Sequence, residues 1–180
     1  MAASSYGKGL RGFYLLGRLK MGAAWGWKEP RTTLFAPAWL EIFPEAAVID
    51  VIRHPLAVAL SIRQRELRFR TAGDSPNPQL DDLDFCLRLA LTYVEAGERL
   101  ARRTPRYRRM RFEDLQADPR GTLKQLAEFC QLRPSGTQLA RAAAIIKPET
   151  SRHWQDLIKN ETKDLRANYP ALSKLGYAWE

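Results

Sequence analysis

A short apolar run, AAVIDVI at residues 46–52, constrains the fold of this chain more than any other stretch. Such a run, rich in β-branched residues, is typical of a strand in a parallel sheet whose two faces are both covered by helices. Arg53 and His54 follow it, and Pro55 indicates the first position of a helix, where its missing N–H costs little. The sequence therefore predicts an α/β fold with Arg53 at the carboxyl end of a buried strand.

Helical and extended patterns alternate on both sides of this strand, and no linker or internal repeat interrupts them. We predict a single domain over residues 1–180, in which residues 1–24 form a loosely attached arm. The other predicted elements, in chain order, are a short strand at 25–28, a helix at 34–42, a helix after Pro55, a long helix at 80–103, a strand at 107–112 and helices started by Asp118 and Ser135.

The charge of the chain is its unusual bulk property. Its 180 residues carry 29 Lys and Arg against 20 Asp and Glu, a net charge of +9 that comes mostly from Arg. Arg suits phosphate and sulfate, so this excess favours an anionic partner, although a general surface bias explains it equally well. Two cysteines without metal-ligand spacing and two distant histidines predict no metal site. The N-terminus lacks the long apolar core of a secretory signal, so a cytoplasmic location is expected.

An anion site at the carboxyl edge of the sheet is suggested by four donors in the stretch around this strand: Lys28, Arg31, Arg53 and Ser61. Arg53 and Ser61, which lies two turns into the next helix, can bracket one tetrahedral anion. The alternative is that Arg53 pairs with Glu113 or Asp114 and that Ser61 only caps locally. Lys28 stands at the end of the predicted first strand, where it can neutralise charge on a moving sulfuryl or phosphoryl group, or simply be solvated.

The motifs WGWKEPRT, FPEAAVIDVIRHPLAVALS and RFEDLQADPRGTLKQLAEFCQL, in this order, resemble the sulfotransferase family. The family uses 3′-phosphoadenosine 5′-phosphosulfate (PAPS) as the sulfuryl donor, and this chain is most similar to its bacterial and tyrosylprotein-type members. The resemblance spans residues 25–132. It implies a P-loop-like three-layer α/β fold with a central parallel sheet, and no metal.

The resemblance also implies roles for individual residues. Arg53 and Ser61 would bind the 3′-phosphate of the donor, and Lys28 would stabilise the transferring group. Independently of the resemblance, the position of Arg31 predicts an anion contact or a partner for Glu29. Residues 151–154, which include Arg152, would match the basic loop that closes over the 3′-phosphate. The acceptor would be a hydroxyl or amine of a small molecule, a peptide or a carbohydrate.

Two family features have no clear counterpart in this chain. The family's first strand leads into a loop of the Arg-Ser-Gly-Thr-Thr kind that cradles the 5′-phosphosulfate, and the segment before Lys28 contains no such loop after an apolar strand. We therefore expect an N-terminally truncated fold that lacks the first strand and this loop, binds the 3′-phosphate and turns over poorly. The position of the general base is also altered, which leaves Glu29 and His54 as candidates.

Two other function classes stay open. A non-catalytic protein that binds nucleotides or nucleic acid would use a basic run along the long helix and the next strand: Arg99, Arg102, Arg103, Arg106, Arg108, Arg109 and Arg111. Much of this run lies at a helix end, where the helix dipole favours cations in any case. A kinase-like phosphoryl transferase would need a Gly-Lys-Ser/Thr loop and a magnesium carboxylate, and the chain shows neither.

Overall fold

The computed structural model describes residues 24–71 and 77–146, together with residues 175 and 177. The chain divides into two units, Met1–Thr32 and Thr33–Glu180. The predicted arm lies outside the described residues except for its last residue, and so does the predicted loop with Arg152.

The described elements alternate between helices and two short strands. In chain order they are α1 (Thr32–Ile42), β1 (Val48–Ile52), α2 (Pro55–Thr71), a 3-10 turn (Pro78–Asp81), α3 (Leu83–Ala101), β2 (Tyr107–Arg111), α4 (Phe112–Ala117), α5 (Pro119–Phe129) and α6 (Gly136–Ile145). Pro55 opens α2 as predicted, and β2 ends one residue before the predicted limit.

The first unit does not contain the predicted strand at residues 25–28. Residues 24–29 have no regular secondary structure, and their described contacts are local. The indoles of Trp25 and Trp27 stack with centroids 5.5 Å apart, and Trp27 Nε1 donates to Thr32 Oγ1 at 3.2 Å. The backbone N–H of Thr32 donates to the carbonyl of Glu29 at 2.9 Å, which closes a turn around Pro30. The strand prediction was wrong because this stretch forms a local turn instead of pairing with another strand.

The two strands of the second unit form a parallel pair. Asp50 lies opposite Arg109, and Ile52 lies opposite Arg111. Parallel strands need a long crossover connection, and here α2 and α3 lie between the strands in the chain. The described part of the chain is therefore a mixed helix and strand structure with a small parallel sheet, as an α/β fold requires.

One face of β1 is more exposed than its apolar sequence predicts. Ile49 is 37% exposed and Val51 is 53% exposed, whereas Ile52 is buried. The prediction of a strand covered on both faces was therefore wrong for this strand. Successive side chains of a strand point to opposite faces, and the described contacts that bury β1 come from α3 and Tyr177 on the Ile52 face. A continuous apolar run indicates that a strand can be buried, but it does not show which elements cover it.

Two clusters of buried residues hold the helices to each other and to the sheet. The first joins α2 to α3 through Leu56, Ala59, Cys86 and Leu87, all of which are 0% exposed. The second joins β1, α3 and the C-terminal tail through Ile52, Val94 and Tyr177, with Leu175 packed beside them. These clusters bury one face of each of the two long helices, and at Leu175 and Tyr177 they include part of the C-terminal tail.

Helix α3 approaches the sheet closely at Gly97, above a polar cluster. The Oδ2 atom of Asp50 accepts hydrogen bonds from the Tyr107 hydroxyl at 2.5 Å and from Arg109 Nε at 2.9 Å. Arg109 Nη2 also donates to the carbonyl of Val94 on α3 at 2.8 Å. A Cβ atom at Gly97 would lie only 2.4 Å from Asp50 Oδ2. The ion pair therefore fits between the strands and the helix only because residue 97 has no side chain.

The predicted caps of the last two helices are confirmed. Asp118 precedes α5, and its Oδ1 accepts the backbone N–H of Gly121 at 2.9 Å. Ser135 precedes α6, where it forms a reciprocal pair of hydrogen bonds with Gln138, a capping box. Each cap satisfies N–H groups that have no partner within the helix.

The close approach at Gly97 predicts a destabilising Gly97→Ala substitution. The added methyl group must displace the Asp50 carboxylate, and overpacking of this kind costs about 1–3 kcal/mol, which outweighs the helical preference of Ala. The matched control is Gly136→Ala, because a Cβ there meets no atom within 4 Å. Chemical unfolding of both variants measures the effect. A Gly97→Ala protein as stable as the Gly136→Ala control would contradict this packing.

The environment of Tyr107 predicts a loss of stability at alkaline pH. Burial, together with its hydrogen bond to Asp50, raises the pKa of Tyr107 well above its ordinary value. In the unfolded chain the pKa of Tyr107 is about 10, so the unfolded chain loses this proton more easily than the folded chain, and stability falls as pH rises above that value. The tyrosinate absorption of the folded protein, minus that of Tyr107→Phe, should show no ionisation of Tyr107 near pH ~10. A difference signal that titrates at that pH would contradict the burial of this hydroxyl.

Candidate functional site

Arg53 lies at the carboxyl edge of the sheet, where the sequence predicts it. It follows the last residue of β1 directly, and it is half-buried. Its guanidinium carbon lies 5.8 Å from the ring centroid of Phe112, the first residue after β2. A cation over an aromatic face is attracted by the ring quadrupole. The residues that follow the two parallel strands therefore meet at one edge, and a cation lies there.

His54 caps helix α2. Its carbonyl accepts the N–H of Val58 at 3.1 Å, and its Nδ1 accepts the N–H of Leu56 at 3.2 Å. The side chain is only 3% exposed. Because Nδ1 is an acceptor, the proton of the neutral ring is on Nε2. These contacts favour a structural role for His54, and its role as a general base stays a prediction.

Glu113 connects this edge to the C-terminal tail. Its Oε1 accepts the backbone N–H of His54 at 2.9 Å, and its Oε2 accepts the hydroxyl of Tyr177 at 3.2 Å. The neighbouring Asp114 forms an ion pair with Arg111, with 2.7 Å between Oδ1 and Nη2. The two carboxylates that the sequence offered as partners for Arg53 are thus engaged with other groups.

Tyr177 also lies at this edge of the sheet, and the sequence did not single it out. Its ring packs against the imidazole of His54 with centroids 4.9 Å apart, and the guanidinium carbon of Arg111 lies 5.5 Å from its centroid. Burial and the carboxylate of Glu113 raise its pKa well above the ordinary value, so the hydroxyl keeps its proton and can donate. The sequence shows only that the tail is apolar and aromatic. The hydrogen bond of the Tyr177 hydroxyl to Glu113 is a tertiary contact, which no local pattern predicts.

Ser61 lies on α2, the helix that the Arg53–His54 turn leads into. It is the seventh residue of that helix, about 9 Å along its axis from Pro55 at 1.5 Å per residue. Its side chain is exposed. The structure thus places Ser61 on the predicted element, at an exposed position.

The remaining predicted site residues lie in the first unit or outside the described residues. Lys28, Glu29 and Arg31 are all exposed. Arg31 Nε donates to Glu29 Oε1 at 2.9 Å, which confirms that Arg31 is a partner for Glu29. This hydrogen bond lowers the pKa of Glu29 below its ordinary value, which makes it a weaker base. Arg152 lies outside the described residues.

The basic run that suggested nucleic-acid binding is largely engaged within the protein. Arg109 and Arg111 form ion pairs with Asp50 and Asp114. Three further members have partners as well: Arg99 pairs with Glu95, Arg106 donates to the carbonyl of Glu45, and Arg108 donates to Gln125. These contacts argue against a continuous basic track along α3 and β2.

A cavity of about 320 Å³ lies away from the Arg53 edge. It is lined by Glu98, Ala101, Arg102, Tyr107 and Arg109, at the amino end of β2. Within the described ranges, no group of three or more His, Cys, Asp or Glu side chains could hold a metal ion, and no helix has the length and apolar character to cross a bilayer.

Comparison with known protein families finds a match over most of the chain. A family model described as "Sulfotransferase family" matches residues 3–135, well over half of the chain. No curated protein and no solved structure matches the chain. The matched span contains β1, the Arg53–His54 turn, α2, β2 and Glu113, which are the elements that build the edge described above. The chain belongs to the sulfotransferase family.

Proposed function

We propose that this chain binds PAPS at the carboxyl edge of its sheet and transfers the sulfuryl group to a hydroxyl or amine of a small-molecule, peptide or carbohydrate acceptor. Membership of the sulfotransferase family supports sulfuryl transfer in general. The observation that carries the more specific proposal is the position of Arg53. It stands between the end of a parallel strand and the N-terminus of α2, at the edge where open α/β sheets bind ligands.

The chemistry of the candidate residues fits such a donor. Arg53 offers a guanidinium fork beside the positive end of α2, and Ser61 offers a directional hydroxyl. Both carboxylates nearby are engaged, Glu113 with the His54 amide and Tyr177, and Asp114 with Arg111. The charge of Asp114 is balanced by Arg111, and the hydrogen bonds to Glu113 stabilise its carboxylate without neutralising it.

Each residue has a defined task in this proposal. Arg53 and Ser61 contact the 3′-phosphate, and Arg152 is a further contact taken over from the family motif. Arg31 holds Glu29 and is a candidate second anion contact. Lys28 neutralises charge as the sulfuryl group moves, a role that rests on its match to the family motif alone.

When bound, PAPS supplies the sulfuryl group, whose bond to the 5′-phosphate breaks as a new bond to the acceptor forms. The acceptor must also lose a proton, for which Glu29 and His54 are the candidates. Glu29 is exposed and ionised, so it can accept a proton, although its low pKa makes it a poor base. His54 is buried, and its Nδ1 is occupied by the Leu56 N–H. Of the two, Glu29 is therefore the more accessible from solvent.

The proposed site predicts a selective loss of nucleotide binding in Arg53→Ala. Hydrogen bonds to charged groups contribute about 1.5–3 kcal/mol, so the affinity for adenosine 3′,5′-bisphosphate should fall by about 10- to 100-fold. Ser61→Ala removes one neutral donor and should cost about 3- to 10-fold. Adenosine 5′-monophosphate, which lacks the 3′-phosphate, should bind both variants as it binds the wild type. Isothermal titration calorimetry measures all of these affinities.

The matched control is Arg102→Ala, which removes one positive charge beside the cavity at the amino end of β2. It should leave the affinity for the bisphosphate unchanged. If Arg53→Ala binds the bisphosphate as tightly as the wild type, or if Arg102→Ala weakens it by the same factor, the proposed site is wrong.

A further inference from the structure

We propose that Glu113 and Tyr177 are positioning residues for the anion site, so that the C-terminal tail helps to set the affinity for the 3′-phosphate. The inference rests on the proposed function of Arg53. The sequence offered Glu113 only as an alternative partner for Arg53, and it did not single out Tyr177.

The first support is the hydrogen bond between Glu113 and the Arg53–His54 peptide. Glu113 Oε1 accepts the His54 N–H at 2.9 Å, across a separation of 59 residues. That N–H belongs to the same planar peptide unit as the Arg53 carbonyl, so the bond restrains the ψ angle of Arg53. That angle sets the orientation of the Arg53 side chain relative to the N-terminus of α2, which follows it. Glu113 therefore acts on the anion site through the backbone of Arg53.

The second support is the way in which Tyr177 holds Glu113. The Tyr177 hydroxyl donates to Oε2, which leaves Oε1 for the His54 N–H. The tyrosine ring is 7% exposed and packs with Ile52 and Val94, so the position of its hydroxyl is fixed by the core. A carboxylate with both oxygens engaged has few orientations left.

The third support is that aromatic contacts extend this restraint to both sides of the turn. The Tyr177 ring lies against the His54 imidazole, with centroids 4.9 Å apart, and beneath the guanidinium of Arg111, 5.5 Å from its centroid. Phe112, which precedes Glu113, lies under the guanidinium of Arg53. Glu113, which binds the peptide, and Phe112, whose ring contacts the Arg53 guanidinium, are thus neighbours on α4. Tyr177 holds Glu113 in place through its hydroxyl.

Three variants test this coupling by calorimetry with adenosine 3′,5′-bisphosphate and with adenosine 5′-monophosphate. Glu113→Ala should lose about tenfold in affinity for the bisphosphate and less than about twofold for the monophosphate. Glu113→Gln should recover most of the loss, because its amide oxygen can still accept the His54 N–H. Tyr177→Phe keeps the ring and loses the hydroxyl, and it should lose about threefold for the bisphosphate only. Glu128→Ala, an exposed carboxylate on α5, and Tyr93→Phe on α3 are the matched controls and should bind both nucleotides normally.

The double variant Arg53→Ala/Glu113→Ala separates positioning from general stability. If Glu113 acts through Arg53, the second substitution should not weaken binding further. Equal losses for the two nucleotides, or a full additional loss in the double variant, would show a merely structural role and overturn the inference. If Glu113→Ala does not fold, Tyr177→Phe decides, and normal binding by it is the contradicting result. Should Arg53→Ala itself bind normally, the proposed function fails first; a weakened Arg53→Ala with normal Glu113 and Tyr177 variants refutes only the coupling.

Discussion

The parallel pairing of β1 with β2 is the constraint on which the rest of the site depends. Ile52 lies opposite Arg111, so the residues that follow the two strands leave the sheet side by side. This is why Arg53 meets Phe112 and why the His54 amide reaches Glu113, across more than fifty residues of chain. An antiparallel pair would send these two segments to opposite ends of the sheet. The candidate anion site is thus a consequence of strand direction before it is a consequence of any single side chain.

The Asp50–Arg109 ion pair fixes the register that the pairing needs. The two residues are directly opposite each other, and Arg109 also reaches the Val94 carbonyl on α3. A slip of one strand by one residue would turn its charged side chain to the other face of the sheet, away from the partner charge. This arrangement requires glycine at position 97, where the helix lies so close to Asp50 that no side chain fits. The polar contacts of Asp50 and Arg109 at the centre of the strand pair and the apolar contacts of Ile52 at its carboxyl end therefore both hold the pair against α3.

Local chemistry in the sequence was sufficient to predict most of the described helices and strands and the position of Arg53 at the end of β1. Pro55, Asp118 and Ser135 each carry a backbone preference or a cap that acts within a few residues, and each prediction was confirmed. Two predictions failed where the outcome depends on distant partners. Residues 25–28 form a turn instead of a strand, and one face of β1 is left partly exposed. The proposed roles of Glu113 and Tyr177 could not be predicted for the same reason, because they depend on contacts with His54 and with each other that no local spacing encodes.

The central claim is that the Arg53–His54 turn receives the 3′-phosphate of a nucleotide, and nuclear magnetic resonance tests it most directly. The Arg53 Nε–H and the His54 backbone N–H report on the two sides of the turn. Titration with adenosine 3′,5′-bisphosphate should shift both signals to saturation at one affinity, whereas adenosine 5′-monophosphate should leave them nearly unchanged. Signals that do not move with the bisphosphate, or that move equally with both nucleotides, would contradict the account.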